Sequence, residues 1–75
     1  MPIKYYKVTA DRLNTPAYYA AYSLKDAKEV FSSDTNSQII GNFEEVEYTD
    51  IPATSIIHSA KLEFEDARWL VGLRD

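Results

Sequence analysis

The residues able to do chemistry in this chain are few. His58 is the single imidazole, and it sits between Ser55 and Ser59. A serine nucleophile needs a histidine base and an acidic orienter held in one constellation. No Gly-x-Ser-x-Gly elbow accompanies these serines, so His58 reads as a surface or half-buried loop residue. Glu44, Glu45 and Glu47 offer carboxylate oxygens. In a strand, Glu45 and Glu47 project to one side and Glu44 to the other, so the three cannot converge on a calcium ion. There is no cysteine, hence no thiolate nucleophile, disulfide or Cys-based metal site. The two glycines, Gly41 and Gly72, stand alone, which excludes the Gly-rich phosphate loops. No catalytic residue, cofactor or metal is expected. That leaves six tyrosines: Tyr5, Tyr6, Tyr18, Tyr19, Tyr22 and Tyr48. Tyrosine is enriched where proteins bury large contact areas at low entropic cost. Packed cross-strand, the same rings would simply stabilise a sheet.

The elements that would position these groups follow from periodicity. Residues 3–10, rich in Tyr and β-branched side chains, read as a strand with Tyr6, Val8 and Ala10 on one face and Lys7 and Thr9 on the other. Residues 11–16 are a turn containing Asn14 and Pro16. Residues 17–22 read as the second strand of a hairpin. If Tyr6 and Tyr19 face a covering helix, Tyr5, Tyr18 and Tyr22 face outward. Ser23, followed three residues later by Asp26, has the form of a helix N-cap. Residues 24–33 then carry one apolar stripe: Leu24, Ala27, Val30 and Phe31. The polar run 32–38 ends the helix. Residues 39–49 hold a third strand, with Gly41 at its start or at a bulge, and Pro52 breaks it.

The final third supports two readings. As a hairpin, Leu62 and Phe64 alternate with Glu63 and Glu65, residues 65–68 turn, and Trp69, Val71 and Leu73 share a face of the return strand. As a helix, Ala60, Phe64, Ala67 and Val71 form a stripe and Gly72 is a stop. The hairpin is preferred, because two further strands would give the helix a sheet wide enough to cover. The expected fold is α+β: a small antiparallel sheet in the order β-β-α-β-β-β with one helix on one face. The alternative is β-β-α-β-α. Trp69 is expected in the core against Phe31 or Phe64.

Seventy-five residues make one domain with a thin core and little room for an enclosed cleft. The formal charge of −4 is unevenly distributed. Residues 1–33 carry a net +2, residues 34–66 a net −7, and residues 67–75 a net +1. The central excess comes from Asp34, Glu44, Glu45, Glu47, Asp50, Glu63, Glu65 and Asp66 against Lys61 alone. Such a surface repels nucleic acid and attracts basic protein surfaces. No apolar run of signal-peptide or membrane-spanning type is present, so a soluble, cytoplasmic protein that binds neither membrane nor nucleic acid is expected.

The segments YKVTA (6–10), YYAAYSLKDAKEVF (18–31) and NFEEVEYTDI (42–51) together resemble a pattern common in small proteins of phages and mobile elements. The pattern is a strand, a second strand ending in Ala-x-Ser, a helix with Ala four residues after the Ser, and a strand rich in Val and Glu. Ala21, Ser23 and Ala27 occupy its places. The tail FEDARWLV resembles the strand-turn-strand ending of such proteins, with Ala67 where Gly is more usual. Some proteins of this architecture are anti-CRISPR and other anti-defence inhibitors. The resemblance implies a non-enzymatic inhibitor that occupies a surface of a host nucleoprotein complex.

The sequence therefore points to a protein-binding module. Glu44, Glu45, Glu47, Glu63, Glu65 and Asp66 would meet a basic, nucleic-acid-binding surface of a host protein, in place of phosphates. Tyr5, Tyr18 and Tyr22 would supply anchors. One acidic strip forms only if the strands bearing Glu45, Glu47, Glu63 and Glu65 are neighbours. The competing expectation is a homodimer or larger homo-oligomer, paired through sheet edges or tyrosines. An enzyme would need a cleft around His58.

Overall fold

The computed structural model describes residues 2–74, with side chains as far as Leu70. The chain forms β1 (Lys4–Thr9), β2 (Ala17–Ala21), α1 (Leu24–Asp34), β3 (Asn42–Val46), a 3-10 turn (Tyr48–Asp50), β4 (Ile57–Ala60) and α2 (Phe64–Arg74). The four strands make one mixed sheet in the order β3-β1-β2-β4. β1 is antiparallel to both β2 and β3, whereas β4 is parallel to β2.

The first half folds as its pattern predicts. Tyr6 pairs with Tyr19, and both are buried beneath α1. Ser23 caps α1, accepting a hydrogen bond from the Asp26 amide at 3.2 Å. Beyond the helix, Asn36 and Ser37 adopt left-handed backbone with φ of 53° and 56°. This turns the chain toward β3 while the Ser37 amide donates to the Ser32 carbonyl. Ala21, Ala27 and Ala60 are fully buried, and such small side chains let α1 lie close on the sheet. Phe31 fills the space beside them, edge-on to Tyr19 at 5.9 Å and to Phe43 at 5.5 Å.

Topology dictates the second layer. β2, β3 and β4 point the same way, so α1 is a crossover from β2 to β3, and residues 47–56 are a crossover back to β4. Such crossovers are almost always right-handed. Two of them travelling in opposite directions across one sheet must then lie on opposite faces. The return crossover does so: Tyr48 packs on Tyr5, which faces away from α1, with ring centroids 5.4 Å apart. α2 joins the same face, where the Tyr22 hydroxyl donates to Asp66 and accepts from the Glu63 amide.

Several expectations are corrected. The C-terminal hairpin is a helix, which matches that part of the alternative order. However, β4 precedes it, from a segment assigned to no element, and the sheet is mixed rather than antiparallel. Of the stripe expected for that helix, Ala60 belongs to β4 and Phe64 is 77% exposed, whereas Leu70, outside the stripe, is 3% exposed. Gly72 does not stop the helix, which continues to Arg74. Trp69, expected in the core, is 55% exposed. The Val71 and Leu73 side chains of the expected return strand lie outside those described.

Candidate acidic interface

The strand β3 is the first part of the candidate site. It occupies one edge of the sheet and, among the described residues, pairs only with β1. Its five residues are exposed or half-buried. The register places Phe43 opposite Val8 and Glu45 opposite Tyr6, hence on the α1 face. Glu44, opposite Lys7, projects to the other face. Glu44 and Glu45 are both exposed, as are Glu47 and Asp50 just beyond the strand. The Asp50 carboxylate accepts from the Glu47 amide at 3.2 Å, half of a reciprocal cap that holds the 3-10 turn. The Tyr6 hydroxyl is held above its ordinary pKa, by burial first and by the charge of Glu45 second.

Glu63, Glu65 and Asp66 form the second group, around the start of α2. The Glu63 carbonyl accepts from the Ala67 amide, so the helix opens at Glu63. Carboxylates at this end complement the helix macrodipole. Glu63 and Glu65 are exposed, and half-buried Asp66 binds the Tyr22 hydroxyl. Tyr22 is accordingly held above its ordinary pKa, chiefly by that hydrogen bond.

The expected strip along two neighbouring strands does not form, because Glu63 and Glu65 lie at a helix start rather than on a strand. Instead the register gathers Glu47 and the α2 acids at one end of the sheet, where β3 and β2 both finish. β1 lies between those strands, which puts the ends of β2 and β3 about two strand spacings apart, roughly 10 Å. Lys4 and Lys61 lie at that end too, and Lys61 is ion-paired with Glu29 of α1. The pair lowers the Glu29 pKa and raises that of Lys61, the hydrogen bond being the larger cause in both.

The tyrosines behave differently from the anchors expected. Tyr5, Tyr18 and Tyr22 do face away from α1, but that face is covered. Tyr18 is 6% exposed, Tyr5 rests on Tyr48, and Tyr22 is committed to α2. What the sequence reading missed is the cover itself. Its signal was available: acids at 63, 65 and 66 preceding arginines at 68 and 74 match a helix dipole better than a hairpin.

His58 is not in a loop. It lies on β4, exposed, with its ring 5.1 Å from that of Tyr19. Together with Tyr18, Pro16, Pro52, Ser55 and Ile56 it borders an open cleft of about 660 Å³. Ser59, its neighbour in sequence, projects to the opposite face. Among the described residues, no group of three His, Asp or Glu side chains is placed to hold a metal ion. No helix among them is long and apolar enough to cross a membrane. No protein-family model matches the chain, and neither a curated protein nor a solved structure does.

Proposed function

We propose that this protein is a non-enzymatic binding module of anti-defence, anti-CRISPR-like type, which blocks a basic nucleic-acid-binding surface on a host protein in the cytoplasm. The observation that supports it is the run Glu44, Glu45, Glu47 and Asp50: four exposed acidic residues along an edge strand of the sheet and the turn after it. The α2 acids extend the negative field at that end of the sheet. Electrostatic complementarity of this kind steers association and excludes wrong partners. Tyr5, Tyr18 and Tyr22 have no part in this contact, because the fold itself uses their rings.

The test is capture of the partner from nuclease-treated host lysate, followed by salt elution. Exposed charges are screened over about 10 Å at 0.1 M salt. The complex is therefore expected to weaken steeply with salt, to be displaced by duplex DNA, and to be lost when Glu44, Glu45 and Glu47 are changed together to lysine. A salt-insensitive complex that survives the charge reversal would refute the proposal. The second reading, a homo-oligomer, is favoured by the exposure of Phe64 and Trp69 on α2. A strict monomer by light scattering at high concentration would exclude it.

A further inference from the structure

β3 presents more than charge. An edge strand carries a row of backbone N–H and C=O groups directed away from its only neighbour, and these groups template another strand. β3 is such an edge, five residues long, with no proline and with β1 as its one strand partner among the described residues. Its acids straddle the edge, Glu44 on one face of the sheet and Glu45 on the other. An added strand places consecutive side chains on alternate faces, directly beside the residues they oppose.

We infer that the outer edge of β3 accepts an extended segment of the partner that carries two consecutive basic residues, which joins the sheet as a fifth strand. This rests on the acidic reading above and deepens it by naming the form of the partner. One basic side chain would lie beside Glu44 and the next beside Glu45. A residue opposite Phe43 would share the α1 face with Lys28, whose ammonium lies 5.9 Å from the Phe43 ring. An apolar or β-branched residue suits that place better than a third cation.

A second copy of the chain fits the edge poorly. Pairing β3 with β3 about Glu44 or Glu45 sets glutamate opposite glutamate, and like charges directly opposite are destabilising. Pairing β3 of one copy with β4 of another is a head-to-tail contact, which builds rings or open filaments rather than symmetric pairs. The same glutamates that admit a basic strand thus reject self-pairing.

The probe is a blocked decapeptide with two consecutive lysines centred in a run of valine and threonine. It is titrated into the isotope-labelled full chain. Expected are amide shift changes and slowed hydrogen exchange confined to residues 42–46 and their β1 partners. Also expected is a loss of affinity of at least about tenfold when the peptide is N-methylated at alternate residues, which removes ladder donors but no charge. Equal binding by the N-methylated peptide would overturn strand addition while leaving the acidic surface standing. Unchanged binding by the double variant Glu44→Lys, Glu45→Lys would overturn the acidic reading itself. No binding, binding without protection of residues 42–46, or self-association through β3 would each overturn strand addition, and the salt-dependent capture remains an independent measure of the acidic surface.

Discussion

At the scale of single residues, Gly41 is a position with no room for a side chain. A Cβ added there would lie 2.6 Å from Val8 Cγ1 and 3.0 Å from Phe31 Cε2. Val8 is fully buried and Phe31 nearly so, and neither can retreat without opening the core. Gly41→Ala is therefore expected to destabilise by about 1–3 kcal/mol, the usual cost of overpacking. Urea denaturation measures it; an unchanged midpoint would show that β3 can slide outward at no cost. The glycine was legible as the start of a strand, but its real constraint is the close approach of backbone to two core side chains, and sequence spacing carries no sign of that. Lys61 is a comparable case. It holds left-handed backbone at φ 60°, which a lysine adopts reluctantly, and its ion pair with Glu29 lies just where the chain leaves β4 for α2.

At the scale of elements, α1 and α2 are anchored by different means, and this decided how readable each was. α1 announces itself through the Ser23 cap and the Ala27 and Phe31 stripe, and the structure uses both. α2 buries Leu70 but turns Phe64 and Trp69 to solvent, so the stripe read through Phe64 is not the side by which the helix packs. Leu62, Phe64, Trp69 and Val71 imitate an alternating strand instead. Its attachment is polar: the Tyr22 hydroxyl bridges Asp66 and the Glu63 amide. Tyr22→Phe removes both bonds and is expected to raise hydrogen-exchange rates across residues 64–70 several-fold, leaving β1 and β2 protected. Uniform loss of protection would mean that α2 and the sheet open as one unit. β4 was illegible for a simpler reason. Four residues, of which Ala60 alone is buried, carry too little apolar pattern to distinguish a strand from the loop after Pro52.

At the scale of the whole molecule, the tyrosines tie both layers to the sheet, and their ionisation tests that arrangement. Tyr19, buried first of all and hydrogen-bonded to Asp34 at 2.8 Å, is held well above its ordinary pKa of 10.0. Tyr5 and Tyr6 are raised mainly by burial, and Tyr22 by its bond to Asp66. The folded chain thus keeps protons that the unfolded chain releases. Their stabilising effect is complete below about pH 10 and is lost as pH rises through the higher folded values. The urea midpoint should be flat near pH 8 and fall beyond about pH 10, and Tyr19→Phe should lessen the fall. A midpoint that rises with pH would contradict this. The division of charge along the chain was fully legible, and so was the hairpin with its helix. Placement of the acids was not, because it depends on where the second crossover sends the last third of the chain.

The parallel pairing of β4 with β2 also has a consequence in time. Ile57 meets Tyr18 and Ala60 meets Ala21, so the final strand arrives long after its neighbour has been synthesised. A chain that has reached β3 but lacks β4 leaves one side of β2 bare. It exposes a second sticky border, rich in tyrosine and alanine and without any glutamate to guard it. A chain ending before residue 57 is therefore expected to clump more readily than the full chain.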